Sequence, residues 1–303
     1  MLVLALCMAS LMNVSAKKAL VVIAHGSPME QWRKPVLDLE PQLRQVMGDV
    51  KEISYVRVAM MEFTEPIIAT VVADCEAQGV DTIFAVPLFI APSGHSEVDI
   101  PNIIGHKYDP KVITELVEEE TKFVKSRIPI ILGPTLSYDD FLEKIMLTRV
   151  REMSLDPQHE AVLLVSHGDR QFVGYWSKKM QEICDHIKKE TGIEMADYKF
   201  VAMGYKMVRE MMPALKEISQ QKKRILVQGV YLTSSAKEMA DMLDMESIQQ
   251  QEILDSELKV VYSDKGILPA SATEVCEWIK LRTQEWCKAN LCLAPNSVLN
   301  NFV

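Results

Sequence analysis

The sequence predicts an α/β protein made of two duplicated, doubly wound (flavodoxin-like) parallel-sheet domains, facing each other across a cleft. Two observations carry this. Apolar, β-branched runs of strand length alternate with amphipathic stretches of helical period, the pattern of a parallel sheet covered by helices on both faces. The stretch Leu20-Val-Val-Ile-Ala-His25-Gly26 also returns as Val162-Leu-Leu-Val-Ser-His167-Gly168, and the displacement from 25 to 167 is 142 residues. The same displacement carries Val86-Pro-Leu-Phe-Ile-Ala-Pro-Ser93 onto Gln228-Gly-Val-Tyr-Leu-Thr-Ser-Ser235, and Asp99 onto Asp241. A further echo, Val58-Ala-Met-Met61 against Val201-Ala-Met-Gly204, is displaced by 143. A period this long means domain duplication rather than a solenoid array.

In chain order, residues 19–24 read as a first strand, apolar throughout and so buried on both faces. Gly26-Ser27-Pro28 ends it. Residues 29–47 read as one helix, with Val36, Leu39, Leu43 and Val46 at spacings of three or four. Residues 53–60 form a second strand, and 65–78 a helix with Pro66 in its first turn and Gly79 at its end. Residues 82–90 are a third strand, 111–125 a helix and 129–132 a fourth strand. The second half repeats the plan, with a boundary near 154–160, giving domains 17–154 and 155–303.

Residues 1–16 differ in kind. They hold an apolar stretch of 12 residues, then Val14-Ser15-Ala16, small residues of the type a signal peptidase prefers, before Lys17-Lys18. The stretch is too short to span a bilayer, which takes about 20 apolar residues. We read 1–16 as a secretory signal peptide cut after Ala16, which would make the protein exported (periplasmic) and otherwise cytoplasmic. No Lys or Arg precedes the apolar stretch, so a plain N-terminal extension or an additional buried segment is the alternative. Cys7 follows Leu6, too large a residue for a good lipoprotein cleavage site.

Composition narrows the function classes. Net charge is −9, and the longest basic cluster is Lys222-Lys223-Arg224, which argues against a nucleic-acid partner. The run Glu118-Glu119-Glu120 reads as a solvated helix face. No two cysteines form a C-x-x-C pair, so a structural zinc site is not indicated. Cys287 and Cys292 could bridge in an exported protein, or be small buried hydrophobes. The sequence holds 18 methionines, with pairs at Met60-Met61 and Met211-Met212, read as core filler rather than copper ligands. No phosphate-binding G-x-x-x-x-G-K-[ST] loop, G-x-G-x-x-G fingerprint or Gly-x-Ser-x-Gly elbow is present. ATP-driven, NAD-dependent and serine-hydrolase chemistry therefore lack support.

Chemistry concentrates at strand ends. In an open parallel sheet, ligands bind at the carboxyl ends of the strands. His25 follows the first strand, Glu62 the second, and His95 stands just after the third in Pro92-Ser93-Gly94-His95. Alone, either histidine reads as a strand-end residue bonded to backbone. Together they read as two imidazoles converging on one ion, with open coordination positions suited to handing a metal over. Ser96 and Asp99 have the spacing of a helix capping box, which predicts capping rather than metal work for Asp99. His106, His159 and His186 read as surface residues.

At these residues the chain resembles a known family. Ala24-His-Gly-Ser27, Met61-Glu62-Phe63 with Glu65-Pro66, and Val86-Pro-Leu-Phe-Ile-Ala-Pro-Ser-Gly-His95 running to Asp99-Ile-Pro101 look like the CbiX-type sirohydrochlorin cobaltochelatases, class II chelatases that work without ATP. The resemblance is strong over 19–105, weaker over 155–245, and fades after about 265. It implies a tetrapyrrole substrate and a divalent metal as co-substrate, Co2+ first, Fe2+ or Ni2+ otherwise. It assigns metal binding to His25 and His95, with Glu62 as the accompanying acid. In the second half His167 is kept, but Lys237 stands where His95 would be, so a complete second metal site is not expected. The competing expectation is an exported carrier of haem, another tetrapyrrole or a metal. Oligomeric state is not legible in the sequence.

Overall fold

A computed structural model describes residues 16–202, 204–253 and 257–291. Two four-stranded parallel sheets form the molecule. The first contains β1 (Lys18–Ala24), β2 (Ile53–Met60), β3 (Thr82–Pro87) and β4 (Ile130–Leu132) in the order β2-β1-β3-β4. The second contains β5 (Glu160–Ser166), β6 (Met195–Phe200), β7 (Arg224–Gly229) and β8 (Lys259–Tyr262) in the order β6-β5-β7-β8. This is the strand order of a flavodoxin-like sheet less its last strand, with the reversal of winding between β1 and β3. β1 is buried from Ala19 to Ala24, as a run without one polar side chain requires.

The helices are α1 (Glu30–Leu37), α2 (Leu39–Val46), α3 (Ile68–Ala77), the short α4 (Ile100–Ile103), α5 (Pro110–Glu118), α6 (Phe141–Met153), α7 (Val173–Thr191), α8 (Tyr205–Ser219), α9 (Ala236–Met242), α10 (Met245–Glu252) and α11 (Ala272–Leu291). Alternate side chains of each strand point to different cores. Ala19, Val21 and Ile23 pack with α3, α4 and α5, and Ala161, Leu163 and Val165 with α8, α9 and α10. Leu20, Val22, Val162 and Leu164 share a single central core with α2, α6, α7 and α11. The last helix of each half crosses over: α6 packs on β7, while α11 packs on α2 and β3. Trp286 of α11 stacks on Phe84 of β3 with ring centroids 4.9 Å apart. The halves are thereby interlocked, and the cleft between them has walls fixed by a common core.

Several element bounds differ from the sequence reading, each for a local reason. The helix expected over 29–47 is two helices broken at Asp38. In one continuous helix the Pro41 ring would strike the carbonyl of Leu37. Pro66 is not in a helical first turn: its carbonyl accepts from Met60 N at 2.7 Å, and α3 starts at Ile68. β3 ends at Pro87, which has no N–H to extend the ladder. The helix expected over 111–125 stops at Glu118. Glu118, Glu119 and Glu120 are exposed, and three negative charges sit badly at the negative end of a helix dipole. The echo of Val58 with Val201 is not structural. Val58 pairs with Val22 and Tyr198 with Leu164, so Tyr198 is the true counterpart of Val58 and Val201 that of Met61.

Met60, Met61, Met211 and Met212 are buried. Cys287 is a buried thiol, and Cys292 and residues 1–15 lie outside the described residues. Among the described residues no helix is long and apolar enough to cross a membrane.

Candidate metal centre

The pairing of β1 with β2 continues beyond both strands. Met61 N donates to Ala24 O at 2.8 Å and Glu62 N to His25 O at 3.0 Å. Register alone therefore lays Glu62 beside His25, with Oε2 4.0 Å from Nε2. Gly26 makes this possible: its φ is +94°, and a Cβ there would lie 2.4 Å from the Glu62 carbonyl oxygen. His25 Nδ1 lies 3.0 Å from Gly26 O. If Nδ1 carries the hydrogen and donates to that carbonyl, Nε2 keeps its lone pair for a ligand.

His95 arrives from the other neighbour of β1. Leu88 N donates to Ile23 O at 2.7 Å just after β3, and the chain then runs to a wide π-type turn, His95–Asp99. His95 Nδ1 lies 2.8 Å from Asp99 Oδ2, an N–H donor to a carboxylate that leaves Nε2 free. The rings of His25 and His95 are 4.6 Å apart at 67°. One ligand atom from each of His25, Glu62 and His95 lies within 4.8 Å of the others. Among the described residues this is the one cluster of three such groups. Two imidazoles and a carboxylate from one side leave further coordination positions open.

The capping role expected of Asp99 is not what the structure shows. Ser93 and Ser96 make the reciprocal pair, Ser93 N to Ser96 Oγ at 3.0 Å and Ser96 N to Ser93 Oγ at 3.3 Å. Asp99 instead fixes the orientation of the His95 ring, the part a carboxylate commonly plays behind a metal-ligating histidine.

The Asp99 hydrogen bond holds the His95 pKa above its ordinary value; burial opposes this, and the charges of Asp99, Glu62 and Asp169 add to it. In the metal-free protein this pair stabilises the fold while His95 is protonated. The contribution is complete below the ordinary histidine pKa and is lost as pH rises through the raised one. A metal must displace that proton, so affinity climbs with pH through the same window. Asp99→Asn is expected to move the onset of Co2+ binding to lower pH. At the alkaline plateau it should weaken binding by about 10- to 100-fold. Cobalt titrations followed by visible absorption over a pH series measure both, and an unmoved onset would show that Asp99 does not govern His95.

The second half offers less. His167 occupies the position of His25, with Nδ1 3.1 Å from Val201 O. It is open to the cleft on one side and enclosed elsewhere, and the lost solvation lowers its pKa. The counterpart of Glu62 is Ala202, by the strand register above. Lys237 replaces His95 and pairs with Asp241 at 2.8 Å, as His95 pairs with Asp99. His106 and His159 are exposed and His186 is half-buried, all apart from the cluster.

A cavity of about 380 Å³ lies between the halves. His25, Trp32, Arg33 and Phe63 line one wall, His167 and Thr233 the other. Phe63 is exposed, has a φ of +69°, and sits 5.7 Å from the His25 ring. A non-glycine residue held in that region at a cavity mouth marks strain stored at a candidate site. The sequence reading did not single out Phe63, Trp32, Arg33 or Asp169. The change from His-Gly-Ser27 to His-Gly-Asp169 was the one visible signal among them.

The CbiX family model matches residues 19–153, which hold all three residues of the cluster. A sirohydrochlorin cobaltochelatase of Saccharolobus solfataricus is 26% identical over 132 residues, covering 44% of this chain and 92% of that protein. One from Methanococcus maripaludis is 33% identical over 88 residues, 29% of this chain and 58% of that protein. The likeness of fold extends beyond residues 19–153 to both halves. The sirohydrochlorin chelatase SirB from Bacillus subtilis subspecies spizizenii, solved in complex with cobalt, superposes with a TM-score of 0.58 at 16% identity, over 89% of this chain and 94% of that one. SirB from Bacillus subtilis with Fe3+ superposes with a TM-score of 0.62 at 16% identity, over 89% and 95%.

Proposed function

We propose that this chain inserts a divalent metal, Co2+ in the first place, into sirohydrochlorin or a closely related tetrapyrrole without ATP. The observation that carries the reading is the cluster of His25, Glu62 and His95, whose His25 lines the cavity between the halves, within the segment that matches curated cobaltochelatases. Insertion exchanges one divalent cation for two pyrrole N–H protons, so charge balances, and the sequence offers no phosphate-binding loop of the G-x-x-x-x-G-K-[ST] type to bring in a nucleotide. His25 and His95 hold the ion through their Nε2 atoms, Glu62 adds a negative charge beside it, and the unfilled positions admit the pyrrole nitrogens. As each imidazole lets go of the metal it becomes a base and accepts a released proton. The Asp99 carboxylate favours that protonated form of His95. On the opposite wall His167 stays neutral to lower pH, available as a further acceptor.

The apolar character of residues 1–16 favours a second reading, an exported carrier that binds a tetrapyrrole or metal for delivery. One assay separates the two. Sirohydrochlorin and Co2+ are mixed with the protein without ATP, and absorbance follows the metallated product, with Fe2+ and Ni2+ in parallel. Many turnovers per protein are expected, fastest with cobalt. Binding that stops at one equivalent would sink the enzyme reading, and a mature chain starting at Lys17 would then favour the carrier.

A further inference from the structure

The half that lacks two of the three metal-site residues still touches the metal site. Asp169 stands where Ser27 stands in the first half, directly after His-Gly. Both side chains close the same turn. Ser27 Oγ accepts from Met29 N at 3.1 Å; Asp169 Oδ1 accepts from Gln171 N at 2.8 Å and Phe172 N at 3.2 Å. A hydroxyl is enough for that task. The carboxylate has a second oxygen, and Oδ2 reaches across the cleft to accept from Gly94 N at 2.9 Å. From α7 of the same half, Trp176 Nε1 donates to Pro92 O at 2.8 Å. These two bonds bracket Ser93 and end one residue before His95. One accepts from the loop and one donates to it, so together they fix its direction as well as its position.

We propose that Asp169 is a positioning residue for His95: the second half, with only His167 left of its own ligand set, clamps the ligand-bearing turn of the first half at the distance from His25 that one ion requires. The inference rests on the metal-site reading given above. It also supplies a reason for an acid at 169, because a serine at the matching position closes the turn, with a single bond, but is too short to hold Gly94.

The test uses the full metal-free chain titrated with Co2+, with the d–d absorption bands as a report on coordination geometry. Asp169→Ser keeps the turn-closing oxygen and removes the reach to Gly94. Its Co2+ affinity is expected to fall about tenfold or more, the usual scale for losing an outer contact of a metal site, with altered d–d bands. In turnover, kcat falls while KM for sirohydrochlorin stays, and the melting temperature of the metal-free chain is unchanged. Trp176→Phe keeps the ring that meets Phe200 edge-on, loses the bond to Pro92, and should shift affinity and spectrum in the same direction. Native affinity and bands in Asp169→Ser overturn the proposal. Should Asp169→Ser melt early, Trp176→Phe decides, and native affinity there overturns it equally. If His95→Ala leaves wild-type cobalt binding untouched, the metal-site reading itself fails and the clamp falls with it.

Discussion

Alanine at His95, or at His25, is expected to weaken Co2+ binding by well over about 100-fold, beyond the range seen on losing an outer-contact residue. Each removes one of only three ligand atoms that lie within 4.8 Å of one another, and nothing else in the described cluster can take its place. His167→Ala should leave metal affinity at its native value, since His167 has neither an acid nor a second imidazole beside it in the second half. Turnover then separates two roles. The first two variants lose insertion because the metal is not held. His167→Ala slows it with the metal in place, if the opposite wall receives a proton. Isothermal titration with Co2+ beside the absorbance assay gives both numbers. Native affinity in His95→Ala would remove the basis for the site.

The parts of this molecule that were legible in the sequence are those set by local pattern. β1 could be read because an unbroken apolar run has no stable place except between two helical layers. His25, Glu62 and His95 could be placed together because each follows a strand, and β1 has β2 and β3 as its neighbours. What escaped depends on geometry that spacing does not encode. The i to i+4 pair of His95 and Asp99 closes only because the chain opens into a wide turn, and Ser96 at a capping distance pointed to the wrong partner. The echo of Val58 with Val201 matched letters three residues out of structural register. Asp169 acts on the other half of the chain, 75 residues from Gly94, and no periodicity reports such a contact. Nor did pattern reading show that α6 and α11 each cover the other half, since their apolar faces are satisfied equally by either sheet.

Gly26→Ala is expected to damage fold and site together. A φ of +94° is strained for any L side chain, at roughly 1–2 kcal/mol for left-handed backbone. The added methyl would also sit 2.4 Å from Glu62 O and 3.3 Å from Met60 Cβ, atoms of backbone and buried strand that cannot swing aside. Relief requires β2 to move away from β1 at the point where Glu62 N bonds His25 O, and that movement carries the Glu62 carboxylate away from the two imidazoles. Stability should therefore drop by more than the backbone strain alone, and Co2+ affinity should drop in the molecules that still fold. Gly48→Ala is the comparison: a methyl there meets no atom within 4 Å, and the backbone is ordinary, so both quantities stay near native. Urea unfolding and cobalt titration of the two variants measure the difference. If Gly26→Ala melts and binds like Gly48→Ala, the close approach of the β1 and β2 ends is not what holds His25 and Glu62 together.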